Sequence, residues 1–237
     1  MTIASFIPLR TKRFEVQLRE LTLREGIELA QYDPARHEAA MGRFCSIAVQ
    51  RASGDVADSA RWTVQERTMV LVHYLACVSE DGPDFSVGEG WKLSDYFIGN
   101  QYPCDTVKIG ERTFGQLSGV AAEEIESSGG GRRAWFSGAM AAQLIEPGAT
   151  VPDPALRRLD YGIWLRGRVD ELESLPESQY AELLAQWSAA CAKLGHFFTI
   201  AFDASGIVAL PKEAGGDTPP ARFPVASTLS RITQDLL

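Results

Sequence analysis

The stretch that most constrains this chain is Met69–Val78, Met-Val-Leu-Val-His-Tyr-Leu-Ala-Cys-Val, set behind Thr63-Val-Gln-Glu66. The Thr-x-x-Glu spacing is that of a capping box, in which hydroxyl and carboxylate satisfy backbone N–H groups at a helix start. The run behind it is apolar on nearly every face. A helix of that kind is buried, so the rest of the chain must enclose it. It is interrupted by His73 and is far shorter than the roughly 20 apolar residues that span a bilayer.

Enough chain exists to enclose it. The 237 residues are 45% hydrophobic and 23% charged, which excludes wholesale disorder, collagen-like sequence and a coiled coil. That length suits one large domain or two small ones. Lys and Arg total 23 against 31 Asp and Glu, a net charge of −8. A nucleic-acid binder usually carries a basic excess, so nucleic acid is not expected as a partner. The N-terminus, Met1-Thr-Ile-Ala-Ser-Phe-Ile-Pro, lacks the charged and apolar regions of a signal peptide. Cys45, Cys77, Cys104 and Cys191 are widely spread without a C-x-x-C pair, which predicts reduced thiols in a cytosolic setting and no disulfide framework.

An α+β fold is expected, a mainly helical body with short β-hairpins near both ends. Ile3–Leu9 and Phe14–Leu18 read as strands around Arg10-Thr11-Lys12. Thr22-Leu-Arg-Glu25 caps a first helix, and Asp33-Pro34 starts a second that continues to about Gln50. Ala52–Ser59 reads as a loop. Helices are further expected over Thr113–Glu126, Arg132–Ile145 and from Asp153-Pro154 to about Leu172. Ser127–Gly131 breaks the first of these. Ser174-Leu-Pro-Glu177 is read as the cap of another helix, with Tyr180, Leu183, Leu184, Trp187, Cys191 and Leu194 on one stripe and Gly195 as its stop. Phe197–Phe202 and Ile207–Leu210 form a second hairpin, which could pair with the first. Gly215–Pro220 is linker-like, and a short helix follows in Val225–Leu237. The organisation is therefore 1–78 (hairpin plus helices), 79–113 (an aromatic-rich insertion holding a hairpin and a helical turn at Leu93–Ile98), 114–210 (helices ending in a hairpin) and 211–237 (linker and tail). These are read as one overall domain with an insertion.

Motifs for chemistry are sparse. His37, His73 and His196 lie far apart, and no zinc spacing is present. No metal or cofactor is expected. His73 and Cys77 at i, i+4 share a helix face and could support a thiolate; the plainer reading is two half-polar residues in a buried helix. Glu123-Glu124-Glu126 and Asp170-Glu171-Glu173 read as solvated helix surfaces. Gly129-Gly130-Gly131-Arg132-Arg133 ahead of a helix offers N–H groups and guanidiniums to an anion but lacks a phosphate-loop pattern, and a flexible break is preferred. Trp91, Tyr96, Phe97 and Tyr102 are more distinctive. Four amphipathic rings in one Gly- and Pro-rich insertion are typical of a partner-binding surface, or of a small core beneath the insertion.

Leu18-Arg-Glu-Leu-Thr-Leu-Arg-Glu-Gly-Ile-Glu-Leu-Ala30 after a hairpin resembles the opening of tailed-bacteriophage tail assembly and baseplate hub proteins. Trp62-Thr-Val-Gln-Glu-Arg67 and Trp135-Phe-Ser-Gly-Ala-Met-Ala-Ala-Gln-Leu144 are similar to segments of virion proteins from such phages. The resemblance spans roughly 6–78 and 132–145; the insertion at 79–113 departs from it. It implies a structural, non-enzymatic component of a tail or baseplate, located in the virion tail and bound to other tail proteins. A tail assembly chaperone absent from the mature virion is a close variant. The alternative from another class is a cytosolic enzyme with a composite site at His73, Cys77 and the 79–113 loop.

Overall fold

The computed structural model describes residues 6–99, 102–129, 131–213 and 217–236. It is an α+β fold, a helical body with small antiparallel sheets. Strands β1 (Leu9–Arg10) and β2 (Phe14–Leu18) make the expected N-terminal hairpin; residues 3–5 of the predicted first strand lie outside the described residues. The Thr11 hydroxyl closes the turn, accepting the Phe14 N–H at 2.9 Å. Alternation along β2 buries Phe14, Val16 and Leu18 on one face.

Helix α1 (Leu23–Ala30) begins with the predicted Thr22–Glu25 capping box. Arg19 grips Glu25 through both guanidinium nitrogens, at 2.6 and 2.9 Å. Helix α2 (His37–Ala48) starts later than Asp33-Pro34 suggests. The Asp33 carboxylate is spent on a turn, accepting the Ala35 N–H at 2.8 Å. The chain then leaves α2 directly into β3 (Val49–Gly54), which pairs with β2 and places Val16 opposite Ala52. Half of this strand falls where the sequence suggests a loop. Most of its side chains point to solvent, so it has no buried alternation of its own and owes its conformation to β2. Gly54 closes the pair at φ +106°; a Cβ there would lie 2.7 Å from the Arg13 carbonyl.

Helix α3 (Val64–Val78) is the enclosed helix, started by the Thr63–Glu66 capping box. Val70, Leu71, Val72 and Tyr74 are all buried. Before it, the buried Trp62 stacks on Phe14 with ring centres 4.7 Å apart and donates its indole N–H to the Val56 carbonyl at 2.8 Å. The insertion contains its predicted hairpin, β4 (Ser86–Gly88) with β5 (Trp91–Lys92), and a helical turn at Leu93–Asp95. Its second half is a different matter. Strands β6 (Thr106–Ile109) and β7 (Arg112–Gly115) join β8 (Leu144–Ile145) in one sheet, so the boundary at 113 falls inside a strand.

Helix α4 (Gly119–Ser127) accordingly starts at Ser118, whose hydroxyl accepts the Ala121 N–H. Helices α5 (Gly131–Gln143) and α6 (Arg158–Glu173) follow. In α7 (Glu177–Leu194), Leu183, Trp187, Ala190 and Leu194 face the core and Gly195 is the C-cap. Its N-cap is Pro176 rather than Ser174, which ends α6 with its hydroxyl on the Glu171 carbonyl. Strands β9 (Thr199–Asp203) and β10 (Gly206–Leu210) form the C-terminal hairpin in full register. The two terminal hairpins do not share a sheet: β9 packs on α5 and α7, while β10 is bridged through Ala209 to Ala221. Residues 214–216 of the linker and Leu237 lie outside the described residues. The tail makes a turn at Val225–Thr228 and a short helix α8 (Arg231–Asp235).

Candidate functional site

The four aromatic side chains of the insertion are divided by the fold. Tyr96 is buried, 1% exposed, and donates its hydroxyl to the Pro219 carbonyl at 2.9 Å. Its ring meets the edge of Phe223. Phe97 is half-buried against Phe197 and Phe198, and the next N–H, of Ile98, donates to the Phe197 carbonyl at 2.8 Å. These two residues anchor the insertion on the C-terminal hairpin and tail, so they are unavailable or only partly available to a partner. Trp91 is half-buried. Tyr102 alone stands open, 68% exposed, with the Lys12 ammonium 5.5 Å from its ring centre.

Anchoring the insertion creates a groove of about 940 Å³ beside it. One wall is the start of α1, from Leu21 to Gly26; another is Phe85–Val87 of the insertion; the third is the tail from Phe223 to Thr233. Tyr74, Leu75 and Val78 at the end of α3 line it from below. Tyr74 is fixed there by accepting the Leu21 N–H on its hydroxyl at 3.2 Å. Gly26 lets α8 approach α1: a Cβ at that position would be 2.9 Å from the Thr233 hydroxyl oxygen. Leu23, Val78 and Ile232 remain 39–55% exposed at this groove. Its residues come from four separate stretches of chain, and none of them carries a binding motif. That is why the sequence does not announce it.

A second assembly of polar groups lies inside. Glu123 and Glu126, expected on a solvated surface, are buried. Glu123 holds the buried Arg67 at 2.5 Å and Arg158 at 2.8 Å. The pair fits because two glycines make room. A Cβ at Gly119 would run into the Arg67 guanidinium, and one at Gly42 into the Glu123 carboxylate. Arg67 Nε itself has no hydrogen-bond partner among the described residues. Glu126 accepts the N–H groups of Glu38 and Ala39 at 2.8 and 3.1 Å. It thereby caps α2, whose own N-cap residue, Arg36, makes no side-chain cap. Glu38 beneath it is buried, and desolvation lifts its carboxyl to about 8, against the pull of Arg67. Burial likewise holds His37 down to about 4. The sequence does contain the signal, glutamates matched by distant arginines, but helix periodicity cannot show that the glutamates turn inward.

His73 and Cys77 do meet, with sulfur 3.9 Å from Nε2. That same nitrogen is 2.8 Å from the Ile7 carbonyl. A carbonyl requires a donor, so Nε2 carries the proton and cannot accept one from the thiol. Desolvation also raises the Cys77 thiol above its ordinary value, the wrong direction for a nucleophile. His196 is buried beside Thr63, 3.4 Å from its hydroxyl, and is held down to about 4 by burial. Near the glycine run, Arg133 pairs with Glu173 and Arg132 lies over the Phe136 ring; Gly130 lies outside the described residues. Among the described residues no cluster of three metal-binding side chains occurs, and no helix is long and apolar enough to cross a membrane.

Against protein-family models, curated proteins and solved structures, the chain finds no match.

Proposed function

We propose that the chain is a structural component of a bacteriophage tail or baseplate and works by protein–protein contact. The observation that carries this reading is the open groove between α1, α3, the insertion and the tail. Its apolar base and Ser/Thr-rich tail wall, with Ser227, Thr228 and Ser230, suit a segment of another tail protein, in which apolar anchors enter and polar groups meet the rim. The resemblance of the 6–78 and 132–145 segments to tail proteins supplies the setting. Residence in the mature virion, rather than passage through assembly as a chaperone, is part of the proposal. The His73–Cys77 geometry gives the enzyme alternative little support.

Complementation tests this. A phage lacking the gene is supplied with the wild-type chain or with Val78→Lys plus Ile232→Lys, both on exposed groove positions. The wild type is expected to restore tailed, infective particles. The variant should fold with an unchanged Tm but restore at least about tenfold fewer, because a lysine ammonium resists burial in an apolar interface. Equal restoration by both would overturn the groove's role.

A further inference from the structure

Beneath the tail lies a small cavity of about 20 Å³, room for about one water molecule. Its walls are His37 and Glu38 in the first turn of α2, Thr68 of α3, the apolar side of the C-terminal hairpin, and tail residues 221–223. The Glu38 side chain is only 6% exposed, and its carboxyl makes no hydrogen bond among the described residues. His37 Nε2, at 3.9 Å, is beyond hydrogen-bond reach. Thr68 spends its hydroxyl proton on the Val64 carbonyl at 2.9 Å, and Arg222 of the tail is turned onto Asp203 of the hairpin. The other charges facing Glu38 are engaged as well. Arg67 of α3 is held by Glu123 of α4, and Glu126 of α4 accepts two N–H groups of α2. Cys45, on α2, has its thiol pushed up to about 12 by burial and stays neutral. A buried acid therefore faces the cavity with no protein group to stabilise its charged form directly.

We propose that tail residues 221–223 are a latch worked by the proton on Glu38: they stay seated over the neutral acid and lift to let water reach the carboxylate. The choice of moving wall follows from how each wall is held. α2, α3 and the hairpin are regular elements with their own hydrogen-bond ladders. Residues 221–223 are irregular chain, tied to β10 by one pair of backbone bonds between Ala209 and Ala221, both 2.9 Å. Local opening takes the least-bonded segment. Seated, Glu38 keeps its proton up to about 8 and His37 its neutral ring down to about 4; hydrated, they return to their ordinary values of 4.5 and 6.5. Glu38 therefore favours lifting, up to tenfold per pH unit, as pH rises from 4.5 to 8. His37 favours it as pH falls from 6.5 to 4. The two cancel between 4.5 and 6.5, and above 6.5 Glu38 acts alone. Phe223 also lines the groove between α1, α3 and the insertion, so lifting unseats that wall as well. The latch does not depend on what the groove binds.

Amide hydrogen exchange of the full-length chain tests this, with each rate divided by that of unstructured chain at the same pH. The probe is the Ala221 N–H, bonded to the Ala209 carbonyl, and the reference is the Val72 N–H inside α3. Ala221 should be less protected than Val72, and its protection should fall roughly tenfold from about pH 5.5 to about pH 8. In Glu38→Gln only His37 remains to titrate, so protection should instead rise roughly tenfold over the same range. His37→Gln leaves Glu38 unopposed and should steepen the fall to roughly a hundredfold. Wild-type protection that is the same at both pH values overturns the proposal. So does a Glu38→Gln variant that follows the wild type, or an Ala221 amide protected as well as Val72, which would mean that the tail opens only when the whole chain unfolds.

Discussion

Helices α4 and α6 lie in one fold and handle polarity in opposite ways. α4 turns Glu123 and Glu126 inward, where they hold Arg67 and cap α2. α6 turns Leu159 and Ile163 outward. The difference shows that hydrophobic pattern does not by itself decide which side of a helix is the inside. On α4 the carboxylates are drawn in by donors already fixed on α2 and α3. A buried carboxylate with both oxygens bonded recovers much of its desolvation cost. On α6 the packed side is taken by Tyr161, Leu165 and Leu172, and the outward apolar side chains remain available to something outside the chain.

The comparison can be broken most severely at glycine. Gly119→Ala drives a methyl into Arg67 and forces it away from Glu123. The loss of a buried pair should cost about 3–5 kcal/mol, read from denaturant unfolding. Placing the same substitution on the other helix reverses the sign: Gly167→Ala, with open space around it, should stabilise the chain by about 0.5–1 kcal/mol. Equal responses at the two sites would contradict the assignment of inside and outside.

A smaller effect than that of Gly119→Ala sharpens the electrostatics. Glu38 keeps its proton in the folded state up to about 8, whereas an ordinary glutamate releases it near 4.5. Its contribution to stability is therefore fully present below about 4.5 and is lost as pH rises toward 8. Glu38→Gln should remove that loss and raise Tm at pH 8 by roughly 2–6 °C, with little change at about pH 5. On the acid side the sign is opposite. His37 and His196, held at about 4 against an ordinary 6.5, contribute above 6.5 and lose that contribution as pH falls toward 4. Tyr96→Phe, which removes the hydroxyl from the Pro219 carbonyl, should cost about 1 kcal/mol. Leu159→Gln should change stability by less than about 0.5 kcal/mol, a value that would be far exceeded if the residue were part of the core.

Much of the framework is written locally in the sequence. Thr22–Glu25 and Thr63–Glu66 mark helix starts because a capping box needs only residues three apart. The C-terminal hairpin is legible for the same reason, two β-rich runs around Asp203-Ala-Ser-Gly206. What is not legible is long-range. Strand β3 lacks alternation and is held by β2; the start of α2 is set by a carboxylate from α4. Ser174 and Asp153 look like caps, yet the helices begin beyond both, because each spends its side chain on its own turn. Of the candidate contact residues, Tyr96 and Phe97 stand out in the sequence as unusual but not as anchors, since their partners lie about a hundred residues or more away. The groove is not legible as a binding site, being assembled from four stretches that only the tertiary fold brings together.

The most direct measurement is quantitative mass spectrometry of purified, mature virions from a phage that encodes the chain. A structural tail component should be present in a fixed copy number per particle, with cross-links between the groove and another tail protein. Absence from particles that are otherwise complete would contradict that role and favour a protein that acts in assembly and then departs.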